Sequence, residues 1–485
     1  MEYIIKGYKP EKFFNYFEEI SAIPRGSGNE KGIMEYLKKF ADERGLWCYT
    51  DDVFNVIIKK PGSAGCESLP PVILQGHTDI VCEKNQDTVH DFLHDGLKLY
   101  VDDEGFLHAK GTTLGADNGT AVCFMLTILD SQELVHPPLE CVFTAQEEVG
   151  LVGAAKLDYT KLSGRTMINM DAGPLGNAVG SCAGGLRIKM TRDIPYTSTE
   201  GTAMAIAVRG LQGGHSGGAI SKTKGNSLKI ISRVIDAIMQ VVPAEICSVD
   251  GGDKDNAIPR ESDAVLVFKS GADADKALEI VKKMNGEIRG EFGSNDPALS
   301  ITCKEVQTPD KSFGAEFSAA ISKFMMLAPS NVYFRNFLLG DAVISSVNFA
   351  SIHTADGKIE ANFSPRSATG SIKQEIRRNL EILAGLFGFE TEYSGEYPGW
   401  SYNENSRVRD IFKEVCVEVF GKEPTIHAIH GGLECGLFID KLPGLDAIAM
   451  GPNGSGGHTP EEKLDLASCE TQWKILTALL EKLAK

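Results

Sequence analysis

The sequence has no long apolar run, no basic cluster and no regular cysteine spacing, and each absence argues against a class of protein. No stretch approaches the roughly 20 apolar residues of a membrane span, and residues 1–20 contain no apolar segment after a basic start, so we expect neither a membrane protein nor a signal peptide. Acidic residues outnumber basic ones by 66 to 49, for a formal charge of −17. Nucleic acid and anionic membranes are therefore poor candidate partners.

The eleven cysteines are odd in number and scattered without CxxC spacing. This usage favours a reducing cytoplasm over a disulfide framework. Cys82 and Cys435 lie near the polar motifs described below, but neither has an activating base beside it in the sequence. A nucleophilic thiolate is therefore disfavoured at both positions.

With 485 residues and 42% hydrophobic content, the chain can form large cores, and its length predicts two or three domains. Apolar residues at helical spacing predict amphipathic helices over residues 10–21 and 29–45. Residues 110–130 begin with glycines and continue as an apolar stretch, which predicts a loop leading into a buried helix. Asp117 would lie in or just before the first turn of that helix.

Four apolar stretches end in polar residues: 72–79, 139–150, 165–173 and 445–458. Continuous apolar runs are typical of parallel strands that are covered on both faces. In open α/β sheets the carboxyl ends of such strands converge at one edge, where chemistry collects. The polar residues expected at this edge are His77, Asp79, Glu147, Glu148, Asp171 and His458.

Each of these residues alone has a simple structural explanation, because a lone histidine is usually a core or surface residue. Asp117 alone would be a favourable acid at a helix N-terminus. Together, however, so many buried carboxylates without a cation would each cost several kcal/mol. Histidine and carboxylate ligands suit zinc, manganese or cobalt, and a carboxylate that bridges suits two ions about 3.5–4 Å apart. The pattern therefore predicts a metal site.

Six motifs occur in order along the chain: HTD at 77–79, GADNG at 115–119, EEVG at 147–150, NMDAG at 169–173, GGHSGG at 213–218 and GGHTPEE at 456–462. Their order and spacing resemble those of the M20 di-metal peptidases, in particular the aminoacyl-histidine dipeptidase branch, also described as Xaa-His or carnosinase-like. The resemblance runs from about Ile23 to the last helix. It implies two divalent metal ions, zinc first and cobalt or manganese as alternatives.

The resemblance also implies roles for individual residues. Asp79 would hold His77 in the tautomer that binds metal, and Glu147 would be the general base. Five residues would be metal ligands: Asp117 as the carboxylate shared by both ions, His77 and Asp171 at one ion, and Glu148 and His458 at the other.

Ligands of one centre that lie far apart in the chain imply an inserted domain. We expect a catalytic domain in two parts, residues 1–186 and 398–485, with a mixed, largely parallel sheet flanked by helices. Residues 187–397 would form an inserted α/β lid or dimerisation domain. Closure of this lid would bend the chain near residues 184–186 and 397–399.

Four residues are implied as substrate contacts. His215 would stabilise the oxyanion, although a plain glycine-rich turn also explains GGHSGG. Asn256 and Arg366 would bind the substrate's C-terminal carboxylate, with a surface salt bridge as the alternative for Arg366. Gly436 would let the substrate backbone approach. We expect the nearby His427, His430 and Glu434 to support the site without binding metal.

The function implied is hydrolysis of short peptides, chiefly unblocked dipeptides with a preference for Xaa-His. The expected partners are a small peptide and, as a possibility, a second copy in a homodimer; the expected location is the cytoplasm. Alternatives are an M20-type amidohydrolase or deacetylase, a di-zinc aminopeptidase, and a metal-binding protein without catalysis. The intact Glu147 disfavours the last of these, because loss of the base is the simplest route to inactivity.

Overall fold

The structure, a computed structural model, describes residues 3–485 and divides them into two units. Unit 1 contains residues 3–181, 400–428 and 433–485, and unit 2 contains residues 182–399 and 429–432. The expected insert covers residues 187–397; unit 2 also includes the residues that flank this range and the separate segment 429–432.

The first part of unit 1 contains, in chain order, α1 (Glu11–Ser21), α2 (Lys31–Glu43), β1 (Trp47–Thr50), β2 (Val56–Lys60), β3 (Val72–His77), β4 (Leu99–Val101), β5 (Phe106–Ala109), α3 (Ala116–Asp130), β6 (Leu139–Thr144), α4 (Val152–Lys156), β7 (Thr166–Asn169) and β8 (Ala178–Cys182).

Unit 2 follows with β9 (Gly184–Asp193), β10 (Thr197–Ser198), β11 (Thr202–Arg209), β12 (Gly214–His215), α5 (Ser216–Ala219), α6 (Ser227–Met239), β13 (Ala244–Gly251), β14 (Ala257–Ile258), β15 (Ser262–Phe268), α7 (Gly271–Phe292), β16 (Ser300–Val306), β17 (Lys311–Ser312), α8 (Ala315–Leu327), β18 (Asn331–Asn336), β19 (Ala342–Ala355), β20 (Lys358–Ser367), α9 (Gly370–Leu386) and β21 (Glu390–Tyr397).

The chain then returns to unit 1 with α10 (Arg407–Phe420), β22 (Ile426–Ile429), α11 (Cys435–Lys441), β23 (Asp446–Ala449), β24 (Gly454–Ser455), β25 (Lys463–Asp465) and α12 (Leu466–Leu483).

Unit 1 is built on an eight-stranded sheet with the order β1-β2-β6-β3-β7-β23-β8-β22. The four central strands, β6, β3, β7 and β23, are parallel to one another, whereas β2 pairs antiparallel with β1 and β6, and β8 pairs antiparallel with β23. Every residue of β3 and β6 is buried, as expected for strands covered on both faces. The predicted mixed α/β class is confirmed, with its parallel part in the centre of the sheet.

The main core of unit 1 lies between this sheet and the helices α1, α2, α3, α10 and α12. The helical spacing of the N-terminal segment explains its packing, because Phe13, Phe14, Phe17 and Ile20 of α1 are all buried. In contrast, α3 is buried along nearly its whole length, which matches its continuous apolar sequence. This buried helix carries Asp117 in its first turn.

Unit 2 contains a nine-stranded antiparallel sheet with the order β16-β11-β15-β13-β19-β20-β9-β21, and β18 pairs with β19 beside this path. Helices α6 to α9 contribute their apolar residues to its core. Alternating burial along β11 and β15 is typical of a sheet with one face on the core.

None of the eleven cysteines, all of which lie in residues 3–485, forms a disulfide. Cys435 is buried and Cys82 is exposed. Within residues 3–485, no helix has both the length and the apolar character that a membrane crossing requires.

We predict that Lys229→Met destabilises unit 2. The Lys229 ammonium, in α6, donates to the carbonyls of Met325, Met326 and Ala328 at 2.7–2.8 Å, at the end of α8. Methionine keeps the aliphatic stem but leaves these carbonyls without their donor, so we expect the free energy of unfolding to fall by about 2–4 kcal/mol. Urea-induced unfolding of the variant should therefore have a lower midpoint. The exposed Lys282 provides the control, because Lys282→Met should change stability by less than about 0.5 kcal/mol; equal midpoints for both variants would contradict the prediction.

Candidate metal centre

The predicted site residues of unit 1 converge at the carboxyl edge of the central parallel strands. His77, the last residue of β3, pairs with Thr144, the last residue of β6. In the same way Asn169, which ends β7, pairs with Ala449, which ends β23. The turn after β6 carries Glu147 and Glu148, the loop after β7 carries Asp171, and the segment after β23 carries His458. Short connections from adjacent strand ends therefore bring distant parts of the chain together.

The carboxylate of Asp117 lies between two groups of these side chains. Its Oδ1 is 3.0 Å from His77 Nε2, which is itself 3.8 Å from Asp171 Oδ1. Its Oδ2 is 3.3 Å from His458 Nε2, which is 3.0 Å from Glu148 Oε1. Ligand-type atoms of His77, Asp117 and Glu148 all lie within 4.8 Å of one another. The two oxygens of Asp117 thus face two different sets of nitrogen and oxygen donors.

The site is crowded with negative charge. Burial and the neighbouring carboxylate of Asp117 raise the pKa of Asp171 well above its usual range. Burial also raises the pKa of Glu147 to about 8, and the carboxylates of Glu434, Glu148 and Asp117 contribute to the rise. Acids packed this closely repel one another unless positive charge lies among them.

The two histidines respond to these acids in the opposite direction. Although burial favours neutral His77, the carboxylates of Asp171, Asp117 and Asp79 raise its pKa well above the usual value. Asp117 and Glu148 raise the pKa of His458 to about 10. The Oε1 atom of Glu148 is buried and lies 3.0 Å from His458 Nε2. A donor set of imidazole nitrogens and buried carboxylate oxygens fits divalent cations.

Asp79 is fully buried and holds the turn that carries Glu147 and Glu148. Its carboxylate accepts hydrogen bonds from the Glu147 N–H at 3.0 Å, the Glu148 N–H at 3.2 Å and the Ser27 hydroxyl at 2.7 Å. The expected bond to His77 is made mainly by the Asp79 main-chain carbonyl, 3.1 Å from Nδ1, whereas the carboxylate is 3.4 Å away. The carbonyl of Asp79 keeps a proton on Nδ1, so Nε2, on the side of Asp117, is the atom of His77 that would bind a metal ion.

Several residues that support the site were not identified from the sequence. The Asn118 side chain accepts from the His77 N–H at 3.2 Å and donates to the Met170 carbonyl at 2.8 Å, so it joins the ends of β3 and β7. Glu30 accepts from the Gln146 N–H at 3.0 Å. Glu462 and the buried Arg25 contact the turn before Asp117. Asn118 and Glu462 lie within quoted motifs, but nothing in the sequence shows their targets.

Glu434, which the sequence placed near the site, lies beneath the strand ends. It is fully buried, accepts from the Thr144 hydroxyl at 2.7 Å and from the Gln75 amide, and burial raises its pKa to about 7. Gly436 is buried in the first turn of α11, where its N–H donates to the Leu433 carbonyl at 3.1 Å. His427 is exposed on β22.

Unit 2 brings together the other predicted contact residues. The guanidinium of Arg366 is buried, and its Nε and Nη1 donate to the hydroxyls of Ser216 at 3.3 Å and Tyr397 at 3.4 Å. Ser216 follows His215 and donates its N–H to the Asn256 carbonyl at 2.7 Å. Burial and the charge of Arg366 lower the pKa of His215. Within residues 3–485, Arg366 forms no salt bridge, so the surface ion pair considered above is absent there.

His430 belongs to the same group in unit 2. Its Nε2 is 2.6 Å from the Ser346 hydroxyl, and burial together with Arg366 lowers its pKa to about 4. Two neutral imidazoles thus lie near a buried guanidinium that has no carboxylate partner in the described chain. This arrangement suits an anionic ligand.

Comparisons with known proteins agree with the motifs. The model of the peptidase family M20/M25/M40 matches residues 73–482. The cytosol non-specific dipeptidase of Escherichia coli (strain K12) is 33% identical over 478 residues, which cover 98% of each chain. The aminoacylhistidine dipeptidase of Vibrio alginolyticus has a solved structure that matches with a TM-score of 0.93 and 33% identity over 98% of this chain and 97% of that one.

A more distant relative is the acetylornithine deacetylase of Myxococcus xanthus, 26% identical over 316 residues that cover 62% of this chain and 73% of the relative. The family match includes all six sequence motifs and every residue gathered around Asp117. The chain belongs to the M20/M25/M40 peptidase family.

Proposed function

We propose that this peptidase is a di-metal dipeptidase that hydrolyses unblocked dipeptides, with Xaa-His as the preferred kind. The observation that carries the proposal is the Asp117 carboxylate, whose two oxygens face His77 and His458. The names of the relatives support the substrate class, since one is a non-specific dipeptidase and the other an aminoacylhistidine dipeptidase. The di-metal site accounts for amide hydrolysis, whereas the histidine preference rests on resemblance alone.

The proposed ligands are those implied by the motifs. Asp117 would be shared by two ions, with His77 and Asp171 at one and Glu148 and His458 at the other; zinc is the proposed metal, with cobalt or manganese as alternatives. When bound, the ions supply Lewis acidity for the scissile carbonyl and for the attacking water.

The residue proposed to move the proton is Glu147. A proton acceptor for the attacking water must be a carboxylate that is not itself a ligand, and Glu147 is the one acid of the EEVG turn left over by the ligand set. Its N–H is fixed by Asp79, so the side chain starts from a defined backbone position. Glu147 takes the proton from the water and returns it to the leaving amine nitrogen.

The residues of unit 2 are proposed to recognise the rest of the dipeptide. Arg366 and Asn256 bind the C-terminal carboxylate, and the absence of an acidic partner for Arg366 within the described chain supports this role. His215, whose pKa is lowered, is proposed as a neutral donor to the developing oxyanion. Gly436, in the first turn of α11, is proposed to contact the substrate backbone.

We also propose a cytoplasmic location, and either a homodimer or a monomer in solution. The word cytosol in the name of the Escherichia coli relative and the absence of disulfides among the eleven cysteines of the described chain support the location. A deacetylase of N-acylated amino acids remains the second candidate, because the Myxococcus xanthus relative carries that kind of name. Parallel assays with a dipeptide and with the matching N-acetyl amino acid distinguish the two activities.

Metal removal is the first test of this function. We predict that chelation abolishes dipeptide hydrolysis and that zinc, cobalt or manganese restores it, because the donor set consists of imidazole and carboxylate groups. Elemental analysis before and after chelation measures the metal content alongside the activity. Full activity in protein shown to be free of metal would contradict the proposal.

Two variants should separate the base from the shared ligand. Glu147→Gln should keep the metals and lose about two to four orders of magnitude in kcat, the usual contribution of a positioned acid–base group. Asp117→Asn should lose metal as well. Its amide carries no charge, and the NH2 group would take the place of one of the two oxygens that now face His77 and His458. Metal content and single-turnover rates of both variants check this division, which normal turnover in either would contradict.

Recognition of the free carboxylate predicts the size limit of the substrate. A C-terminally amidated dipeptide would leave the buried Arg366 without its anion, at a cost of about 2–5 kcal/mol, or about 30- to several-thousand-fold in kcat/KM. Arg366→Ala should reduce this difference between acid and amide substrates. Arg409 is the matched control, because it is buried in unit 1 and donates to the Asn403 and Glu404 carbonyls. Arg409→Ala should leave the ratio of kcat/KM for the free-acid dipeptide to that for the amidated dipeptide unchanged. Equal turnover of the two substrates by the unmodified enzyme would contradict the proposed binding of the carboxylate.

A further inference from the structure

Glu462, the last residue of GGHTPEE, places a buried carboxylate against the backbone that leads into Asp117. Its side chain is 3% exposed. Oε2 accepts from the N–H groups of Leu114 at 2.7 Å and Gly115 at 2.9 Å. Oε1 accepts from the N–H groups of Ala116 at 2.9 Å and Asp117 at 3.2 Å. One carboxylate thus binds four consecutive peptide groups.

Three of these N–H groups, those of Gly115, Ala116 and Asp117, lie at the start of α3, where no preceding helical turn can accept their hydrogen bonds, and the N–H group of Leu114 directly precedes them. A side chain at the residue before a helix usually caps them, but this position is Gly115, which has a left-handed φ of 68° and makes no side-chain cap. A Cβ atom at Gly115 would lie 2.6 Å from Ile80 Cγ2 and 2.8 Å from Arg25 Nη2. Because no side chain fits there, the cap must come from elsewhere in the chain, and Glu462 supplies it.

The carbonyl side of the same turn is held by Arg25, which is 1% exposed. Its Nη2 donates to the Gly115 carbonyl at 2.8 Å, and its Nη1 donates to the Thr78 carbonyl at 2.8 Å, next to His77. The turn before Asp117 therefore lies between an anion on its N–H side and a cation on its carbonyl side. Opposite charges on the two sides leave its backbone little freedom to rotate.

Glu462 also connects two proposed ligands. It follows His458 in the same short segment, and its own N–H donates to the Thr459 carbonyl at 3.1 Å. The His458 imidazole in turn lies 3.3 Å from Asp117 Oδ2. The contact between Glu462 and residues 114–117 thus fixes the distance between the segment of His458 and the helix of Asp117.

We propose that Glu462 is a positioning residue of the metal centre, which orients the Asp117 carboxylate and couples it to His458 without touching metal or substrate. This inference rests on the proposed di-metal function. A glutamine at this position has one acceptor oxygen and one NH2 donor, so its NH2 group would face two peptide N–H groups. Two of the four hydrogen bonds would be lost, although the size of the side chain is unchanged.

Glu140 provides a matched control in the same unit. It is 2% exposed and accepts from the N–H groups of Ser163 at 3.0 Å and Gly164 at 3.0 Å and from the Lys59 ammonium at 2.9 Å. It lies on β6 and contacts no proposed ligand through these bonds. Glu140→Gln therefore reports the general cost of replacing a buried carboxylate that binds backbone.

The test compares Glu462→Gln with Glu140→Gln in the full-length protein. Transfer of zinc to a competing chelator measures metal affinity, the absorption spectrum of the cobalt-loaded protein reports ligand geometry, and thermal midpoints measure stability. We expect both variants to be less stable, but only Glu462→Gln to lose affinity, by about 10- to 100-fold. Its cobalt spectrum should change, and part of its activity should return at high metal concentration.

Wild-type affinity and an unchanged cobalt spectrum in Glu462→Gln would overturn the inference, as would the same loss in both variants. If Glu462→Gln does not fold, Glu462→Asp is tested instead, because it keeps the charge and shortens the side chain by one methylene. A zinc affinity equal to that of wild type would then overturn the inference, and a lower zinc affinity would support it. Failure of the proposed function is visible separately, since unmodified protein would then bind no metal or cleave no dipeptide.

Discussion

The position of the Asp117 carboxylate is the constraint on which the rest of unit 1 depends. For one carboxylate to face His77 with one oxygen and His458 with the other, its backbone must be fixed on both sides. A side chain with two rotatable bonds cannot correct an error in a mobile turn. The parallel strands supply His77 and Asp171, and the buried helix α3 supplies Asp117 at the same edge of the sheet.

Acidic residues serve two separate purposes at this edge. One set faces the space around Asp117, whereas a second set turns its oxygens toward peptide N–H groups of the same loops. Asp79 binds the Glu147 and Glu148 N–H groups, Glu30 binds that of Gln146, and Glu462 binds four at the start of α3. Because a charged acceptor strengthens each such bond, the second set can hold irregular backbone that no strand or helix supports. The negative charge of the region is therefore partly structural.

The parts of the site that could be predicted from the sequence are those with a local pattern. The apolar run before His77 indicated a buried parallel strand, and β3 and its neighbours have that structure. The apolar stretch after Asp117 likewise indicated a buried helix, which is α3. Such patterns depend on residues close in the chain, whose burial follows from their own spacing.

The contacts that could not be predicted are made by backbone groups or depend on residues far apart in the chain. Nothing near Glu462 in the sequence indicates that its partners are residues 114–117, because a hydrogen bond to a peptide N–H leaves no mark on the identity of the residue that donates it. The bond of His77 to the Asp79 carbonyl, rather than mainly to its carboxylate, has the same cause. The inclusion of residues 429–432 in unit 2 depends on tertiary contacts alone.

Charge separates the two units as clearly as their topology does. Unit 1 concentrates carboxylates around two histidines, and this concentration raises the pKa of Asp171 and Glu147. Unit 2 buries the Arg366 guanidinium beside hydroxyls and two imidazoles, whose pKa values are lowered by burial and by the charge of Arg366. A buried charge that lacks a partner costs free energy in the folded chain, so both arrangements are stable only to the extent that something else compensates them.

Under the proposed function the compensating groups differ in kind: divalent cations for the acids of unit 1, and the carboxylate of each incoming dipeptide for the guanidinium of unit 2. The first can remain through every turnover, whereas the second must leave with the product, which is why a carboxylate partner supplied by the protein itself would oppose substrate binding at Arg366.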